Sequence, residues 1–268
     1  MPNSQSLNLL QITDTHLLRD RDGLLRGIPT FATLQSVQAD AQLHFPDCDG
    51  VLLTGDLVQD DPAAYALIRE AFENSAVPVY CIPGNHDLPD AMRETLSGPP
   101  FVHDDHIVVK GWLLIMLSTW QANSAGGELG QVQLQRLSAL LEQYSALPTL
   151  ICLHHHPLPM NSDWLDKVGL QDAQAFQTCI RLHPQVRGVL WGHVHQELDR
   201  LIDGVRYMAT PATCSQFLPN SSNFAMDNKP PGYRTLTLAA SGRIDSEVVW
   251  LASASSMAND GRHFSAGA

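Results

Sequence analysis

Five short apolar runs in this chain each stop at a polar cluster, and that repeated pattern restricts the fold more than anything else in the sequence. Leu7 to Ile12 leads into Thr13-Asp14-Thr15-His16, and Val51-Leu52-Leu53 into Thr54-Gly55-Asp56. Val77 to Ile82 passes Pro83 and enters Gly84-Asn85-His86-Asp87. Thr149 to Leu153 is followed by His154-His155-His156, and Val186 to Trp191 by Gly192-His193-Val194-His195. Apolar runs of this length, bounded by turn residues, read as buried strands. In α/β sheets, ligands bind just beyond the carboxyl ends of the strands. If the five runs are neighbours, their polar clusters converge on one crevice.

Helical spacing fills the gaps between them. Phe31, Leu34, Val37 and Ala41 mark one amphipathic helix. Asp61-Pro62 is an N-cap and first-turn pair, and Tyr65, Ile68 and Phe72 follow as a buried face. Leu134, Leu137, Leu141 and Tyr144 give a further helix, and another surrounds Phe176 and Ile180. Strand alternating with helix argues an α/β fold. Ile107 to Val109 and Trp112 to Leu117 pair around Lys110-Gly111, Leu198 to Ile202 and Val205 to Ala209 around Asp203-Gly204, and Tyr233 to Leu238 and Ile244 to Trp250 around Ser241-Gly242. These late strands imply a mixed sheet. Residues 253–268 are small and polar and are expected to be a disordered tail, leaving one domain over 1–252.

Taken singly, each cluster has an ordinary reading. An Asp after a strand is often a helix cap, a His beside Gly is often a surface turn, and the triplet 154–156 could hold one ligand or none. Five such clusters in one context are poorly explained that way. Two carboxylates, one amide oxygen and four imidazoles suit two divalent transition ions. Mixed oxygen and nitrogen donors without thiolate favour Fe, Mn, Zn, Co or Ni over Mg or Ca. The formal net charge of -12 argues against nucleic acid and anionic membrane partners. Bound dications would still give a local positive site for a small phosphate ester. The five cysteines are scattered without a CxxC pair, which fits reduced thiols in a cytoplasmic protein, and Cys81, Cys152 and Cys179 fall in apolar-patterned segments. No apolar run approaches the length of a bilayer span, and the polar start Met1 to Ser6 shows no secretory signal.

With these residues in order, the sequence resembles the calcineurin-like metallophosphoesterases, whose pattern is D-x-H, GD, GNH(D), H and GHxH. From Leu9 to about Leu251 it is similar to the bacterial class III 3',5'-cyclic AMP phosphodiesterases. The stretches carrying that likeness include Leu10 to Leu17, His154 to Pro159, Gly192 to Asp199, Ala209 to Phe217, Ser222-Asn223-Phe224 and Pro231 to Leu236. The resemblance implies a four-layer α/β/β/α sandwich with mixed sheets. It implies a dinuclear centre of Fe or Mn, with Zn, Co and Ni as further options. Asp14, His16 and His195 would hold one metal, Asp56 would bridge, and Asn85, His154 and His193 would hold the other. The reaction implied is hydrolysis of cyclic AMP to 5'-AMP by a hydroxide bridging the metals. Asp56, Asn85 and His86 would be catalytic, His86 would protonate the O3' leaving group, and His16 would join them in facing the phosphate.

The remaining polar residues carry secondary expectations. Asp60 should cap the next helix or orient a ligand, and Asp87 should orient His16 or His86. His155 and His156 should line the pocket. The loop from Pro211 to Gly232 should wall the substrate site or contact the second subunit of a homodimer. Gln216, Asn223 and Arg234 are candidates for base or phosphate contacts, with a structural role expected of each. Trp120 and Trp191 are expected in the core. Rival readings are the same centre acting on a 2',3'-cyclic nucleotide, a glycerophosphodiester or a nucleotide pyrophosphate, or a nucleotide-binding module without turnover.

Overall fold

Strict alternation along the first strand sets the layering. In Leu7–Ile12 (β1), Leu7 and Leu9 pack to one side of the sheet while Leu10 and Ile12 pack to the other. Gly50–Thr54 (β2) repeats this, with Leu52 on the first side and Val51 and Leu53 on the second, and Val79–Ile82 (β3) does the same. A short strand, Phe101–Val102 (β4), completes a parallel run β1-β2-β3-β4. The computed structural model describes residues 6–252, and the tail expected to be disordered lies outside the described residues.

The chain then builds a second sheet from His106–Val109 (β5), Trp112–Met116 (β6), Thr149–Cys152 (β7), Val186–Trp191 (β8), Leu198–Ile202 (β9) and Val205–Ala209 (β10). Their spatial order is β9-β10-β8-β7-β6-β5, with β6, β7, β8 and β10 parallel and the two edge strands antiparallel. Finally the chain returns to the first sheet. Gly232–Leu238 (β11) pairs antiparallel with β1, and Ile244–Trp250 (β12) closes that edge.

Three apolar clusters fill the spaces between four layers. Helices Thr30–His44 (α1), Tyr65–Phe72 (α2) and Pro89–Thr95 (α3) cover the outer face of the first sheet through Phe31, Leu34, Tyr65, Ile68 and Met92. Helices Gly130–Gln143 (α4) and Ala173–Arg181 (α5) cover the second through Leu137, Leu141, Phe176 and Ile180. Between the sheets lie Leu9, Leu52, Tyr80 and Ile82 against Trp112, Leu114, Leu150 and Leu190. The architecture is the expected α/β/β/α sandwich with mixed sheets. No helix among the described residues is long and apolar enough to cross a membrane.

Two expectations need correction. Trp191 is buried as expected, but Trp120 is half-buried, and its indole N–H donates to the Asp87 carbonyl at 2.9 Å. Cys179 is likewise only half-buried, whereas Cys81 and Cys152 are core residues. In both cases an apolar-looking neighbourhood in sequence lies at the border of a layer in space.

Near the carboxyl ends of the central strands the inter-sheet apolar packing gives way to hydrogen bonds. Buried Gln11 donates to Thr54 Oγ1 at 2.8 Å and to the Trp191 carbonyl at 3.3 Å, and accepts from Thr210. Buried Arg234 donates to Thr210 Oγ1 at 3.0 Å and to the Ala209 and Leu198 carbonyls at 2.8 and 3.2 Å. Arg234 is therefore a structural tie between the sheets and not a phosphate contact.

The apolar inter-sheet layer should carry much of the stability. Leu52→Ala, which empties a fully buried position there, is expected to cost about 2–5 kcal/mol in urea unfolding with an unchanged m value. A loss below about 1 kcal/mol would mean that the sheets close over the gap.

Candidate metal centre

Every cluster noted at a strand end arrives at one place. Asp14 and His16 follow β1, Asp56 follows β2, Asn85 and His86 follow β3, His154 follows β7, and His193 and His195 follow β8. Asp56 Oδ2 stands 3.7 Å from His16 Nε2 and 3.3 Å from His154 Nε2. Asp14 Oδ1 is 3.3 Å from His195 Nε2 and 4.0 Å from His16 Nε2. All these side chains are buried except Asn85 and His86, which are half-buried at the rim.

The backbone is bent sharply to achieve this. Asp14, His16, Asp56, His193 and His195 all have left-handed φ, between 45° and 66°. Such values are uncommon for residues other than Gly and persist where surrounding contacts enforce them. Here the contacts are visible. Asp14 N donates to the Gly55 carbonyl at 3.0 Å, and His16 N to the Asp56 carbonyl at 2.9 Å. His193 N donates to the Asp14 carboxylate at 3.0 Å, and His86 N to Asp56 Oδ1 at 2.8 Å. Gly84 is required by close approach, since a Cβ there would collide with the Asp56 carboxylate and the His154 ring.

The hydrogen bonds fix which imidazole nitrogens are free. His154 Nδ1 donates to the Thr54 carbonyl at 2.8 Å, His195 Nδ1 to the Ser215 carbonyl at 2.6 Å, and His16 Nδ1 to Gln59 Oε1 at 2.9 Å. Each Nε2 is then turned inward toward the carboxylates, the arrangement typical of metal-ligating histidines. His16 Nε2 and His195 Nε2 face each other at 3.1 Å as two acceptors. Asn85 Oδ1 and His193 Nε2 are buried acceptor sites without a partner in the protein, and His154 Nε2 faces only the Asp56 carboxylate. Buried polar atoms are ordinarily satisfied. A set of unpaired oxygen and nitrogen donors beside two carboxylates fits divalent cations.

Charge coupling adds to this. Burial pushes Asp14 and Asp56 up, but interaction with the neighbouring imidazole, His195 for the first and His154 for the second, more than reverses it, so both lie below the ordinary carboxylate range. Burial would push His154 down; the Asp56 carboxylate overcomes it and raises His154 to about 9. Burial lowers His16 to about 4, and burial with neighbouring histidines lowers His193 well below its usual value. Before metal arrives, one proton is thus held on His154 while His16 and His193 stay neutral.

Several neighbours act otherwise than expected. Asp87 orients neither His16 nor His86. Its carboxylate accepts from Gly84 N at 2.8 Å, Leu57 N at 3.2 Å and the Tyr65 hydroxyl at 2.8 Å, clamping two of the loops together. Burial and the nearby Asp56 charge raise its pKa to about 6. Asp61, as expected, caps the following helical turn, while Asp60 Oδ2 lies 3.0 Å from His86 Nδ1. His155 has both ring nitrogens engaged, by Thr119 Oγ1 at 2.7 Å and the Ala125 carbonyl at 3.2 Å, so it lines the site without a free donor. His156 is buried with Nε2 3.6 Å from Asp166. Gln216 bonds its own loop through Ala212 and Pro230 and is structural, and Asn223 is exposed. Sequence reading missed Gln59, which links His16 to Asp60, and Phe217, which stacks on His195. The Gln beside Gly55-Asp56 offered a signal; Phe217 offered none.

Fold and site together define a dinuclear metallophosphoesterase. A model of the calcineurin-like phosphoesterase family matches residues 7–197, and the chain belongs to that family. It is 38% identical over 255 residues to the 3',5'-cyclic adenosine monophosphate phosphodiesterase CpdA of Vibrio vulnificus, covering 94% of this chain and 93% of the relative. The CpdA of Escherichia coli K12 is also 38% identical, over 248 residues, with 92% and 90% covered. Among solved structures, a dimetal phosphatase from Danio rerio superposes with a TM-score of 0.64 at 14% identity, covering 91% of this chain and 98% of that one. That likeness is one of fold.

The proton on His154 gives a test. Its raised pKa stabilises the metal-free protein below pH 6.5, and that contribution fades as pH rises through about 9. Metal must displace this proton. Titration of metal-free protein with Mn²⁺ should show affinity rising between about pH 6.5 and about pH 8.5. A flat profile would mean that His154 is already neutral.

Proposed function

We propose that the chain is a phosphodiesterase that hydrolyses 3',5'-cyclic AMP to 5'-AMP with two divalent ions, Fe or Mn. The observation that carries the reading is the set of unpaired, buried donors. Asn85 Oδ1 and His193 Nε2 lack partners, His154 Nε2 faces the Asp56 carboxylate at 3.3 Å, and the His16 and His195 Nε2 atoms face one another. In this reading Asp14, His16 and His195 hold one ion and Asn85, His154 and His193 the other, with Asp56 between them. The cyclic AMP assignment is supported by the two CpdA relatives, which align over nine-tenths of the chain. Free thiols at all five cysteines suit a cytoplasmic setting. The unit that carries the activity is residues 1–252.

When bound, the ions supply Lewis-acid charge to the phosphoryl oxygens and lower the pKa of water. The protein supplies the rest. Asn85, half-buried at the rim, would turn its amide toward a phosphoryl oxygen. His86 stands at the rim, its backbone pinned to Asp56 and its Nδ1 beside Asp60. As the P–O3' bond breaks, His86 Nε2–H donates its proton to O3'. Asp60, 3.0 Å from Nδ1, holds the His86 ring in place, the orienting part expected of Asp87.

Product analysis with metal-reconstituted protein checks this. Wild type should form 5'-AMP, and Asp56→Ala should form none. His86→Ala should retain its metal but lose turnover by about 10²–10⁴-fold. If metal leaves with the activity, His86 is structural. If wild type spares cyclic AMP but cleaves an aryl phosphodiester, the centre stands and the substrate reading falls.

A further inference from the structure

An aromatic block runs from the metal cluster to the surface. His195 lies face to face with Phe217, with centroids 4.0 Å apart and planes 9° from parallel. Phe217 meets Trp164 at 5.2 Å and Phe224 at 5.3 Å, both edge-on. Trp164 and Phe224 close the triangle at 5.3 Å. Phe217 is buried, whereas Phe224 is 47% exposed. The outer end of the block is therefore an open ring connected to a candidate ligand by continuous packing.

A cation from elsewhere in the chain sits on that ring. The Arg26 guanidinium lies 5.2 Å from the Phe224 centroid and 5.9 Å from that of Phe217. Arg26 is at the tip of a ribbon formed by Leu24–Leu25 and Ile28–Pro29, with φ of 51°. Phe217 and Phe224 belong to the ribbon of Gln216–Phe217 and Met226–Asp227 and to its connecting loop. Among the described residues, no carboxylate lies within ion-pair distance of Arg26, although most other arginines near acidic groups are paired. In a chain of net charge -12, an exposed, uncompensated Arg beside the metal cluster is a directed feature. The Trp164 indole N–H, in the same block, also lacks an acceptor.

We propose that Phe224 and Arg26, backed by Phe217 and Trp164, form a nucleobase platform. The base stacks on the open Phe224 ring with the guanidinium against its π-system, while the phosphate occupies the cluster at His195. Aromatic and guanidinium planes are the groups that hold unpaired bases. The platform rests on the nucleotide reading above. It adds the specificity that the donors at the strand ends cannot give, because they reach only the phosphate.

The test uses full-length, metal-loaded protein and two ligand pairs that differ only in the base. These are AMP against ribose 5-phosphate in calorimetry, and cyclic AMP against abasic ribose 3',5'-cyclic phosphate in turnover. Phe224→Ala and Arg26→Ala alter exposed side chains. Each should weaken AMP binding and raise the KM for cyclic AMP about tenfold, the size of one base–aromatic stack. Ribose 5-phosphate binding should not change, and Phe224→Trp should restore AMP affinity. Equal losses for AMP and ribose 5-phosphate, or no loss for AMP, would overturn the platform, as would wild type binding both alike. If wild type binds AMP through Phe224 yet leaves cyclic AMP intact, the platform stands and the substrate reading fails.

Discussion

Everything at the candidate metal centre depends on keeping the ends of two separate sheets in register across their shared face. Apolar packing alone is non-directional and would tolerate a sliding of one sheet over the other. Gln11, Thr210 and Arg234 remove that freedom with hydrogen bonds that cross from β1 and β11 to the ends of β8 and β10. Directly above, the Asp14 carboxylate accepts from His193 N, so a side chain of the first sheet holds the backbone of the second. Such a network is costly if half-satisfied and rigid if complete. Its rigidity is what allows seven side chains from five strand ends to share one small volume.

The left-handed backbone at Asp14, His16, Asp56, His193 and His195 follows from the same requirement. Each strand must stop and turn side chains inward, two to four residues past its end, toward a common centre. That turn is unfavourable for β-carbon-bearing residues. It is compensated by short backbone bonds between the loops and by carboxylates that accept from neighbouring N–H groups. The result is a set of donors positioned before any ligand arrives, which is the condition for charge stabilisation without reorganisation.

Much of this was legible in the sequence because it is written locally. An apolar run that ends in Asp, Asn or His declares both a strand and a strand end, and five repetitions announce a shared crevice. The α/β alternation follows from strand-length apolar runs and helical spacing in the same way, whereas the four-layer stacking was implied only by the family resemblance. The less legible parts are those decided by contacts between distant segments. Asp87 looks like a partner for His86 beside it, yet its carboxylate is occupied by Gly84, Leu57 and Tyr65. Asp60 has no such neighbours and takes the place beside His86. Trp120 sits in an apolar-looking segment but ends at the layer border over the Asp87 carbonyl. Arg234 was expected to be structural, but that it ties the two sheets is decided by the Ala209 and Leu198 carbonyls, far from it in sequence. The two short ribbons that bring Arg26 to Phe224 are two residues to a strand, too short to leave a periodic signal.

The return of the chain to its first sheet has a consequence for synthesis on the ribosome. β1 is the first strand made, but its second edge stays open until β11 emerges, and His195 lacks its carbonyl partner until Ser215 has been added. Contacts that join sequence positions so far apart form late and slowly. A nascent chain therefore carries Asp14, His16 and Asp56 for most of translation without the geometry that brings them to His193 and His195. The donor set is assembled only when β11 and the Ser215 carbonyl are in place.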